Sequence, residues 1–551
     1  MSKPVCLDRR LKGLSKRLHD LVIIGGGITG AGIARQAAAA GLSTLLFDAE
    51  DFASGTSSRS TKLIHGGLRY LAMLDFALVR EAALERKSVY AMAPHLAEPL
   101  DMLVPVSSGF ERLKLGVGLS LYERLGQVED ADRRRYLVGS QLSALEPEFK
   151  ASAFKGAYAY REYLTDDARL VLATLRAAVH SGASVANHAQ VIGVRRQGER
   201  FRVRVRDRLS GNEIEIRTRA VINAAGPWAE RVLDEVGMAD GGEEPRLHLS
   251  KGVHIAVPHA RLPVRNMIYV PAPDGRVLFV IPRGAVTYIG TTDTSHDGGP
   301  EVWPSVTGED IDYLLKPVTQ VLRGPKLDRS DVVATWAGLR PLIHQPGKSA
   351  REMSRKDEIW VHEDGVITIA GGKLTAFRKM ADDVLKQVAT QLAEDVTMSD
   401  PLAPLPGGEF EAAFDLGAEA GRIAARYQLD ERSSTRLVRL YGSEVEAVLG
   451  DDPQPISPSV FREEIEWAVR TESARSLEDL IYRRLRIGWY EPDELAEVIP
   501  EASERMAAML DWSAADQSEQ RLALEERLAA DLAAVPSGAE SEMIEPGERA
   551  A

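Results

Sequence analysis

The first apolar pattern along the chain is a strand, a helix and a second strand. Residues 21–24 form a continuous apolar run that predicts a buried strand, and the alanine-rich segment 28–40 predicts a helix. Residues 43–47 predict a second strand, which is closed by Asp48. The order and length of these segments, 20–48 in all, are typical of one βαβ unit.

The central part of the chain predicts further helices and two groups of strands. Helical spacing of apolar residues gives three helices, at 76–91, 113–125 and 168–180. Alternating apolar residues and glycine turns give a three-strand meander and then a buried strand, at 191–195, 201–206, 213–217 and 220–228. A separate antiparallel sheet is expected from strands at 253–257, 267–270, 277–281 and 288–291.

The last third of the chain predicts one more strand and then helices only. Residues 359–370 predict the strand, and two glycines and a lysine at 371–373 lead from it into a helix that ends at 392. A proline-rich linker at 401–408 precedes a region of helical spacing. Two terminal segments are expected to lack stable structure, a mobile basic arm at 1–18 and a disordered acidic tail at 536–551.

Three glycines follow the first strand in the pattern of a dinucleotide-binding turn. Gly25 permits the tight turn, Gly27 lets the backbone approach a pyrophosphate, and Gly30 lets the helix pack on the strand. The helix N-terminus would point its positive end at the phosphates, and Asp48 would accept hydrogen bonds from a ribose. The motif does not distinguish FAD from NAD, but the meander and the strand end near Gly226 favour a flavoprotein.

Composition and charge exclude several classes of function. The 551 residues carry a net charge of −13, which argues against non-specific nucleic-acid binding. Cys6 is the only cysteine, so a disulfide within the chain and a thiolate metal cluster are excluded, and no other metal motif is present. The N-terminus lacks the apolar core of a secretory signal, and the apolar run at 21–34 is too short to span a bilayer. We therefore expect a cytoplasmic protein, or one bound to the membrane from the cytosolic side.

A dense group of functional side chains follows the nucleotide-binding unit at 62–70. Its glycines would let a flat cofactor approach the backbone, and His65 could accept a proton near neutral pH. Each residue also has a structural interpretation, with His65 as a hydrogen-bonded core histidine and Arg69 as a surface charge. Residues 290–293 form a polar strand end that we expect to be structural rather than catalytic.

Two later segments place cations next to glycines. Arg340, with Arg351 and Arg355 shortly after it, could bind a phosphate monoester, because guanidinium groups make bidentate contacts with its oxygens. The alternative is that Arg340 pairs with a core carboxylate. Lys373 follows two glycines and precedes a helix, where a cation could stabilise an anionic reduced flavin.

Together these motifs resemble those of the FAD-dependent glycerol-3-phosphate dehydrogenases, within the D-amino-acid-oxidase-like flavoproteins. The resemblance extends from about residue 20 to about residue 489 and runs through IIGGGITGAG, TSSRSTKLIHGGLRYL, TDDARLVLA, NAAGPW, KGVHIAVP, IGTTD, GLRPL and GGKLTAFRK. It implies an α/β fold with a Rossmann-like FAD-binding domain, an antiparallel-sheet substrate domain and a helical C-terminal domain. The implied boundaries are 19–75, 165–230 and 350–395 for the first, 76–164 and 231–349 for the second, and 396–535 for the third.

The resemblance also implies a role for individual residues. The residues that would bind FAD are Gly25, Gly27, Gly30, Asp48, Ser57, Ser58, Lys62, Leu63, Gly226, Gly371, Gly372, Leu374 and Thr375. Those that would bind the substrate and its phosphate are Arg69, Tyr70, Arg340 and Arg355. The proton acceptor would be His65 or, as second choice, Lys373 with a pKa lowered by burial. Two departures from the family pattern are Asp48, where many relatives have glutamate, and the added charge of Arg59.

The implied activity is oxidation of sn-glycerol 3-phosphate to dihydroxyacetone phosphate. Hydride would pass to the flavin N5 and the electrons to a quinone. Because a quinone is lipid-soluble, contact with the cytosolic face of the cell membrane would be peripheral, and relatives suggest a homodimer. The alternatives are an oxidase that passes electrons to oxygen, an amine or amino-acid oxidase on the same fold, and a flavin-bound sensor or scaffold without activity.

Overall fold

The chain forms two large β-sheets and a C-terminal group of helices. The computed structural model describes residues 4–7, 11–66, 76–238, 247–345, 353, 356–396 and 400–536, so Arg69, Tyr70, Arg355 and the tail from 537 lie outside the described residues. The strands are β1 (Leu18–Ile24), β2 (Thr44–Phe47), β3 (Leu63–Ile64), β4 (Ala97–Val106), β5 (Arg135–Leu137), β6 (Gly156–Thr165), β7 (Ser184–Ala186), β8 (Ala189–Gln197), β9 (Arg200–Asp207), β10 (Glu213–Asn223), β11 (Leu247–Pro258), β12 (Met267–Pro271), β13 (Val277–Arg283), β14 (Val286–Gly290), β15 (Thr294–Ser295), β16 (Ala334–Ile343), β17 (Asp357–Val361) and β18 (Ile367–Gly371). The helices are α1 (Ile28–Ala39), α2 (Phe76–Met92), α3 (Gly109–Leu125), α4 (Gly139–Leu145), α5 (Asp167–His180), α6 (Ala229–Val236), α7 (Gly308–Leu315), α8 (Val318–Val321), α9 (Phe377–Leu392), α10 (Leu416–Tyr427), α11 (Glu431–Tyr441), α12 (Val445–Leu449), α13 (Arg462–Arg470), α14 (Ile487–Tyr490), α15 (Leu495–Leu510) and α16 (Ala514–Asp531).

The first sheet has a parallel centre in the order β18-β10-β1-β2-β7. β8 and β9 extend it as an antiparallel meander from β10, and β17 pairs antiparallel with β18. Side chains of β1 alternate between two cores, as the two-residue repeat of a strand requires. Leu21 and Ile23 pack with α1, α5 and α9, whereas Val22 and Ile24 pack with the meander and α6. The centre of this sheet is therefore covered on both faces.

The second sheet has ten strands and is mostly antiparallel. Its path is β15-β11-β14-β13-β12-β4-β6-β3, with β16 paired to β11 and β5 to β6. Val253, Ile255 and Val257 of β11 share one core with α7 and α8. The opposite face buries Trp336 and Trp489 against the C-terminal helices. The predicted fold class, a nucleotide-binding α/β domain with an antiparallel sheet and a helical C-terminal domain, is confirmed. The domain boundaries remain our proposal, and β3 lies in the segment assigned to the first domain although it pairs with β6.

Other local predictions differ from the structure. The predicted strands 213–217 and 220–228 are one strand, β10, which ends at Asn223 before the predicted glycine turn at Gly226, where φ is +56. The segment 359–370 is a hairpin rather than one strand, with the turn at Gly365, where φ is +87. β4 and β6, which we did not predict, pair along their whole length and connect β12 to β3 and β5 at one end of the second sheet.

The N-terminal arm is packed rather than mobile where the structure describes it. The Leu7 and Leu14 side chains are buried in the cores of the first sheet. The Leu7 amide donates to the Thr471 carbonyl at 2.8 Å, and the Val5 carbonyl accepts from Arg176 Nε at 2.9 Å. Apolar residues within the basic sequence therefore fix the segment to the protein. Among the described helices, none is long and apolar enough to cross a membrane.

Candidate active site

A cavity of about 1460 Å³ opens where the parallel strands of the first sheet end. Gly25 after β1, Asp48 after β2, Gly226 after β10 and Gly372 after β18 all line it. Ligands of open α/β sheets bind at this carboxyl edge, in the crevice between neighbouring strand ends. The second sheet supplies the opposite wall, so the cavity lies between the two sheets and is large enough for a dinucleotide and a small substrate.

The three glycines of the nucleotide-binding turn have the predicted geometry. Gly25 has φ +108, and a Cβ there would lie 2.6 Å from the Ala224 carbonyl oxygen. A Cβ on Gly30 would lie 2.0 Å from the Gly25 oxygen, so only glycine lets α1 pack this closely on β1. Gly27 lines the cavity at the start of α1, whose first amide, Ile28 N, donates to Ser57 Oγ at 3.0 Å. The positive end of α1 therefore faces the cavity, where it can hold a pyrophosphate.

Asp48 closes the end of the cavity next to β2. Its carboxylate accepts hydrogen bonds from the Gly26 amide at 2.6 Å and from the Glu50 amide at 2.9 Å. Burial raises the pKa of Asp48 to about 7, although these backbone hydrogen bonds oppose the shift. Glu50 lines the same end of the cavity. The position suits an acceptor for ribose hydroxyls, as the sequence predicted for Asp48.

The loop after β2 divides into residues that reach the cavity and residues that lie behind its wall. Ser57 and Leu63 line the cavity, as predicted, whereas Ser58 and Lys62 are not part of its surface. Lys62 Nζ donates to the Ser58 carbonyl at 2.7 Å and to Asp167 at 3.2 Å. It also lies 4.9 Å from the ring centre of Trp489. Burial lowers the pKa of Lys62 to about 7, against the opposing charge of Asp167. The structure therefore gives Lys62 a structural position, in contrast to the predicted cofactor contact.

Arg340 extends across the floor of the cavity from β16. Its guanidinium donates to Thr291 Oγ1 at 3.0 Å and to the Thr292 carbonyl at 3.3 Å, and it pairs with Asp293 at 3.4 Å. A Cβ on Gly252 of β11 would lie 2.1 Å from Arg340 Nη2, so this glycine makes room for the guanidinium. Arg340 thus combines features of both sequence interpretations: it lines the cavity, where it could bind a phosphate, and it also pairs with a carboxylate.

His65 and Lys373 line the same cavity as Arg340. His65 follows β3, and the next amide, Gly66 N, donates to Glu162 at 3.4 Å. Glu162 is itself held by Arg86 at 3.0 Å. Lys373 follows two glycines with φ near +80 (+81 and +78), and both of them, with Leu374 and Thr375, line the cavity. The structure thus brings together the predicted proton acceptors and the one predicted phosphate-binding residue that it describes.

Sequence reasoning missed residues of the segment 290–293, which it took to be structural. Thr291, Thr292 and Asp293 line the cavity next to Arg340. It also missed His254 beneath them, stacked on Trp336 with ring centres 5.0 Å apart and bonded through Nε2 to Thr61 Oγ1 at 3.0 Å. Burial, helped by the charges of Lys62 and Arg340, lowers the pKa of His254 well below its ordinary value. The polar residues at the end of the IGTTD segment could have indicated that Asp293 belongs to the site.

The shape of the cavity fits a flavin dinucleotide. The turn at Gly25–Gly27 and the start of α1 provide a cradle for a pyrophosphate, and Asp48 provides an acceptor for the ribose. At the other end, Gly371 and Gly372 leave a bare backbone beside Lys373. There a Cβ on Gly372 would lie 2.5 Å from the Met380 sulphur. The two ends are joined along the strand ends of the first sheet, as an extended two-part cofactor requires.

Comparisons with known proteins agree with this site. Residues 20–378 match the family model described as FAD dependent oxidoreductase, and residues 402–517 match that of the C-terminal domain of alpha-glycerophosphate oxidase. The chain is 37% identical to the aerobic glycerol-3-phosphate dehydrogenase of Bacillus subtilis over 86% of each chain. It is 35% identical to that of Staphylococcus aureus over 92% of this chain and 93% of the other. The structure of the glycerol-3-phosphate dehydrogenase from Bacillus halodurans, complexed with FAD, matches with a TM-score of 0.77 and 32% identity, covering 95% of this chain and 97% of the other. The chain therefore belongs to the aerobic glycerol-3-phosphate dehydrogenases, a family of FAD-dependent oxidoreductases.

Proposed function

We propose that this protein oxidises sn-glycerol 3-phosphate to dihydroxyacetone phosphate with FAD and passes the electrons to a quinone. The observation that carries the proposal is the position of Arg340, whose guanidinium crosses the cavity floor above Gly252. A guanidinium binds a phosphate monoester through two parallel hydrogen bonds. An amine without an acidic group would have no use for it, whereas an amino-acid carboxylate would pair with it in the same way, so the similarity to glycerol-3-phosphate dehydrogenases is what favours the phosphate.

The substrate phosphate binds at Arg340, with Asp293 holding the guanidinium in place through its 3.4 Å contact. Arg276 lines the same region and donates to the Asp293 carbonyl at 3.0 Å, so a second guanidinium supports this end of the cavity. The phosphate would thus lie between the second sheet and the carboxyl edge of the first sheet. This arrangement directs the carbinol carbon of the substrate towards the glycine-rich strand end before Lys373.

His65 accepts the proton of the substrate hydroxyl in this proposal, and Lys373 is the second candidate. When bound, FAD supplies the acceptor for the hydride that leaves the carbinol carbon. The backbone directly after His65 is held by Glu162, which accepts a hydrogen bond from the Gly66 amide at 3.4 Å. Lys373 stabilises negative charge at the edge of the cavity where two glycines leave the backbone exposed. The alcohol loses one hydride and one proton and becomes the ketone.

The FAD would be held by the residues that line the cavity along the first sheet. Gly25, Gly27 and the N-terminus of α1 bind the pyrophosphate, Asp48 binds the ribose, and Ser57 and Leu63 contact the middle of the cofactor. The ring system would lie next to Gly226, Gly371, Gly372, Leu374 and Thr375, which line the cavity. Gly30 would contribute indirectly, by letting α1 pack on β1. Ser58 and Lys62 would support the cavity wall from behind, without contact with FAD.

The deciding experiment is an anaerobic absorption spectrum of the purified protein. The proposal predicts a flavin spectrum that bleaches on addition of sn-glycerol 3-phosphate and recovers on addition of ubiquinone. Glycerol and a primary amine are the control substrates and should leave the spectrum unchanged. Recovery with oxygen at the same rate as with ubiquinone would identify an oxidase instead, and a flavin that none of these compounds reduces would contradict the enzymatic proposal altogether.

The cellular setting follows from the acceptor. A quinone resides in the lipid bilayer, so the protein would act on the cytosolic face of the membrane and bind it peripherally. We also propose a homodimer, which the resemblance to the family implies. Both statements rest on the reaction proposed above rather than on a contact in the structure.

A further inference from the structure

A buried histidine lies beside the proposed phosphate site without a part in the proposed reaction. His254 of β11 is only 1% exposed, and its ring stacks on Trp336 of β16. A Cβ on Gly290 of β14 would lie 2.0 Å from His254 Cδ2, so this glycine makes room for the imidazole. His254 follows Gly252 by two residues, so both lie on the same face of β11. Because Gly252 makes room for Arg340, the imidazole is a neighbour of that guanidinium along the strand.

The aromatic side chains around His254 hold the loop that follows β2. Trp336 Nε1 donates to the Ser60 carbonyl at 3.3 Å, and the Tyr288 hydroxyl donates to the Thr61 carbonyl at 3.0 Å. His254 Nε2 is bonded to Thr61 Oγ1 at 3.0 Å. Both Ser60 and Thr61 line the cavity. Trp336 and Tyr288 therefore fix the backbone of the cavity wall, whereas His254 acts on a hydroxyl group of that wall.

The imidazole of His254 is neutral, and its one N–H group lies on Nε2. Burial, together with the charges of Lys62 and Arg340, lowers the pKa of His254 well below its ordinary value. Among the described residues, Nδ1 has no hydrogen-bond partner. A proton on Nδ1 would thus be a buried N–H group without an acceptor, which folded proteins avoid. With the proton on Nε2, the imidazole donates to Thr61 Oγ1.

This hydrogen bond leaves the Thr61 hydroxyl as a donor. A hydroxyl group has one hydrogen and two lone pairs, and His254 takes one of the lone pairs. Because Thr61 lines the cavity, its hydrogen can be given to a ligand there. The oxygen atoms of a flavin ring accept hydrogen bonds and gain negative charge when the flavin is reduced. A donor at this point would therefore stabilise the reduced flavin more than the oxidised flavin.

We propose that His254 is a positioning residue that, by donating its Nε2–H to Thr61 Oγ1, fixes the Thr61 hydroxyl as a hydrogen-bond donor to a ring oxygen of the bound flavin. In this arrangement Thr61 touches the cofactor and His254 does not. The inference rests on the proposed position of the FAD ring in the cavity. It adds a pair of residues that raises the reduction potential of the flavin, whatever the substrate and the electron acceptor are.

The test measures the midpoint potential of the bound flavin in variants of the full-length holoenzyme. His254→Phe keeps an aromatic ring against Trp336 but loses the donor, and Thr61→Val loses the hydroxyl at nearly constant shape. We expect each substitution to shift the redox equilibrium towards the oxidised flavin by about three- to tenfold, where tenfold is about 30 mV for a two-electron couple. The double variant should shift no further than either single variant, because both changes remove the same donor from the flavin.

Conservative variants and a matched histidine distinguish positioning from support of the fold. His254→Gln keeps an N–H donor near the place of Nε2, and Thr61→Ser keeps the hydroxyl, so both should stay close to the wild-type potential. His259→Phe is the control, because His259 is bonded to Thr287 Oγ1 at 3.0 Å in the same sheet and neither residue lines the cavity. This variant should leave the potential unchanged.

Three results would overturn the inference. These are an unchanged potential in Thr61→Val, additive shifts in the double variant, and a His254→Phe protein that is less stable to heat but has the wild-type potential. If His254→Phe does not fold, Thr61→Val alone decides. The flavin is reduced with xanthine and xanthine oxidase, in the absence of glycerol 3-phosphate. A flavin that glycerol 3-phosphate fails to bleach would therefore contradict the proposed function and leave this measurement valid.

Discussion

The Arg340 guanidinium can occupy its position in the cavity only because the neighbouring strand has a glycine there. The guanidinium lies over Gly252 of the neighbouring strand, where any Cβ would occupy its position. Asp293 pairs with it at 3.4 Å, and Thr291 and Thr292 accept from its nitrogens. These contacts hold the guanidinium at the surface of the cavity, where we propose that it meets the substrate phosphate.

We predict that Arg340→Ala raises the KM for glycerol 3-phosphate strongly while FAD stays bound. Loss of one partner of a buried charged contact costs about 2–5 kcal/mol, which corresponds to an increase of roughly 30-fold or more. Steady-state kinetics with phenazine methosulfate gives the KM, and the flavin spectrum reports the cofactor. Arg329→Ala is the control, because Arg329 is paired with Asp312 at 2.6 Å away from the cavity. An unchanged KM in Arg340→Ala would remove Arg340 from the substrate site.

His65 and Lys373 can be distinguished as proton acceptors by the rate of flavin reduction. A positioned general base contributes about 100- to 10,000-fold. We therefore expect His65→Gln to slow anaerobic flavin reduction by a factor in this range, with a much smaller effect on substrate binding. Stopped-flow absorbance measures both. If His65→Gln reduces its flavin at the wild-type rate and Lys373→Met does not, the proton goes to Lys373.

The raised pKa of Asp48 leads us to predict that FAD binding depends on pH. Its pKa is about 7 because it is buried, whereas the unfolded value is near 3.8. The folded apoprotein therefore holds a proton that the unfolded chain has lost, and its stability falls as pH rises between these two values. Only the ionised carboxylate accepts from both ribose hydroxyls, so FAD binding must release this proton below pH 7. We expect the Kd for FAD, measured by flavin fluorescence, to increase roughly tenfold from pH 8 to pH 6. Asp48→Asn should bind FAD more weakly and without this dependence; a wild-type Kd that is flat over the range would contradict the assignment.

At the scale of elements, the C-terminal π-helix Asp479–Arg484 fixes the loop that follows β2. Arg483 and Arg484 both bond to Asp51 at the start of that loop, at 2.5 and 2.6 Å. Asp51, His188 and Asp479 lie close enough together to suggest a metal site. However, Arg483 bridges both carboxylates, so the cluster is an ion-pair network. Elements far apart in sequence thereby hold the loop that reaches the cavity at Ser57 and Leu63.

Among the arginines that connect this region to the loop after β2, Arg486, just after the π-helix, should cause the largest loss of stability when it is substituted. It bonds to Asp166 at 3.0 Å and to Asp167 at 2.8 Å, and Asp167 in turn holds Lys62 and Ser60. Arg486→Met leaves buried carboxylates with fewer partners, which costs about 3–5 kcal/mol. Denaturant unfolding measures the loss, and we expect FAD release during gel filtration as well. Arg470→Met, which removes an exposed pair with Glu466, should change stability by less than about 1 kcal/mol. Equal stability of the two variants would contradict the role of Arg486.

The elements that sequence predicted well are those defined by local pattern. The run at 21–24, the glycine turn and α1 follow from neighbours along the chain, and so do the meander strands β8 and β9. In contrast, β4 contains Pro99 and Pro105, which argue against a strand. Its conformation is decided by pairing with β6, more than fifty residues later, which no local pattern can show.

The candidate site was likewise predictable only where it depends on local sequence pattern. The strand ends that line the cavity were found from the sequence because parallel strands share an edge. In contrast, the direction in which a side chain points could not be predicted from the sequence. The amine of Lys62 pairs with the buried Asp167, more than a hundred residues later in the chain, instead of entering the cavity. Asp293 was missed because its partner, Arg340, lies on another strand. The two residues come together because β15, just after Asp293, and β16 both pair with β11 at Ser250.

At the scale of the whole molecule, buried ion pairs join the C-terminal helices to the FAD-binding region. Arg169 pairs with Glu472 at 2.6 Å, and Arg176 pairs with Glu444 at 2.6 Å, so α5 is bonded to two parts of the C-terminal domain. Unfolding of that domain alone would remove both arginines of Asp51 and the Arg486 partner of Asp166, and it would leave Trp336 uncovered. Such half-broken buried pairs are strongly unfavourable.

We therefore predict that the holoenzyme unfolds in one cooperative transition, although it contains three proposed domains. Differential scanning calorimetry should give a single peak, and the loss of flavin absorbance and of far-ultraviolet ellipticity should coincide with it. A chain truncated before residue 402 should fail to retain FAD, since Asp51 and Asp167 would lose the arginines that fix the loop after β2. The exposed control is truncation after residue 536, which removes no described contact and should leave the transition unchanged. Two separate transitions, with flavin retained through the first, would show that the C-terminal helices are an independent unit and that the arginines of the π-helix do not hold the cofactor loop.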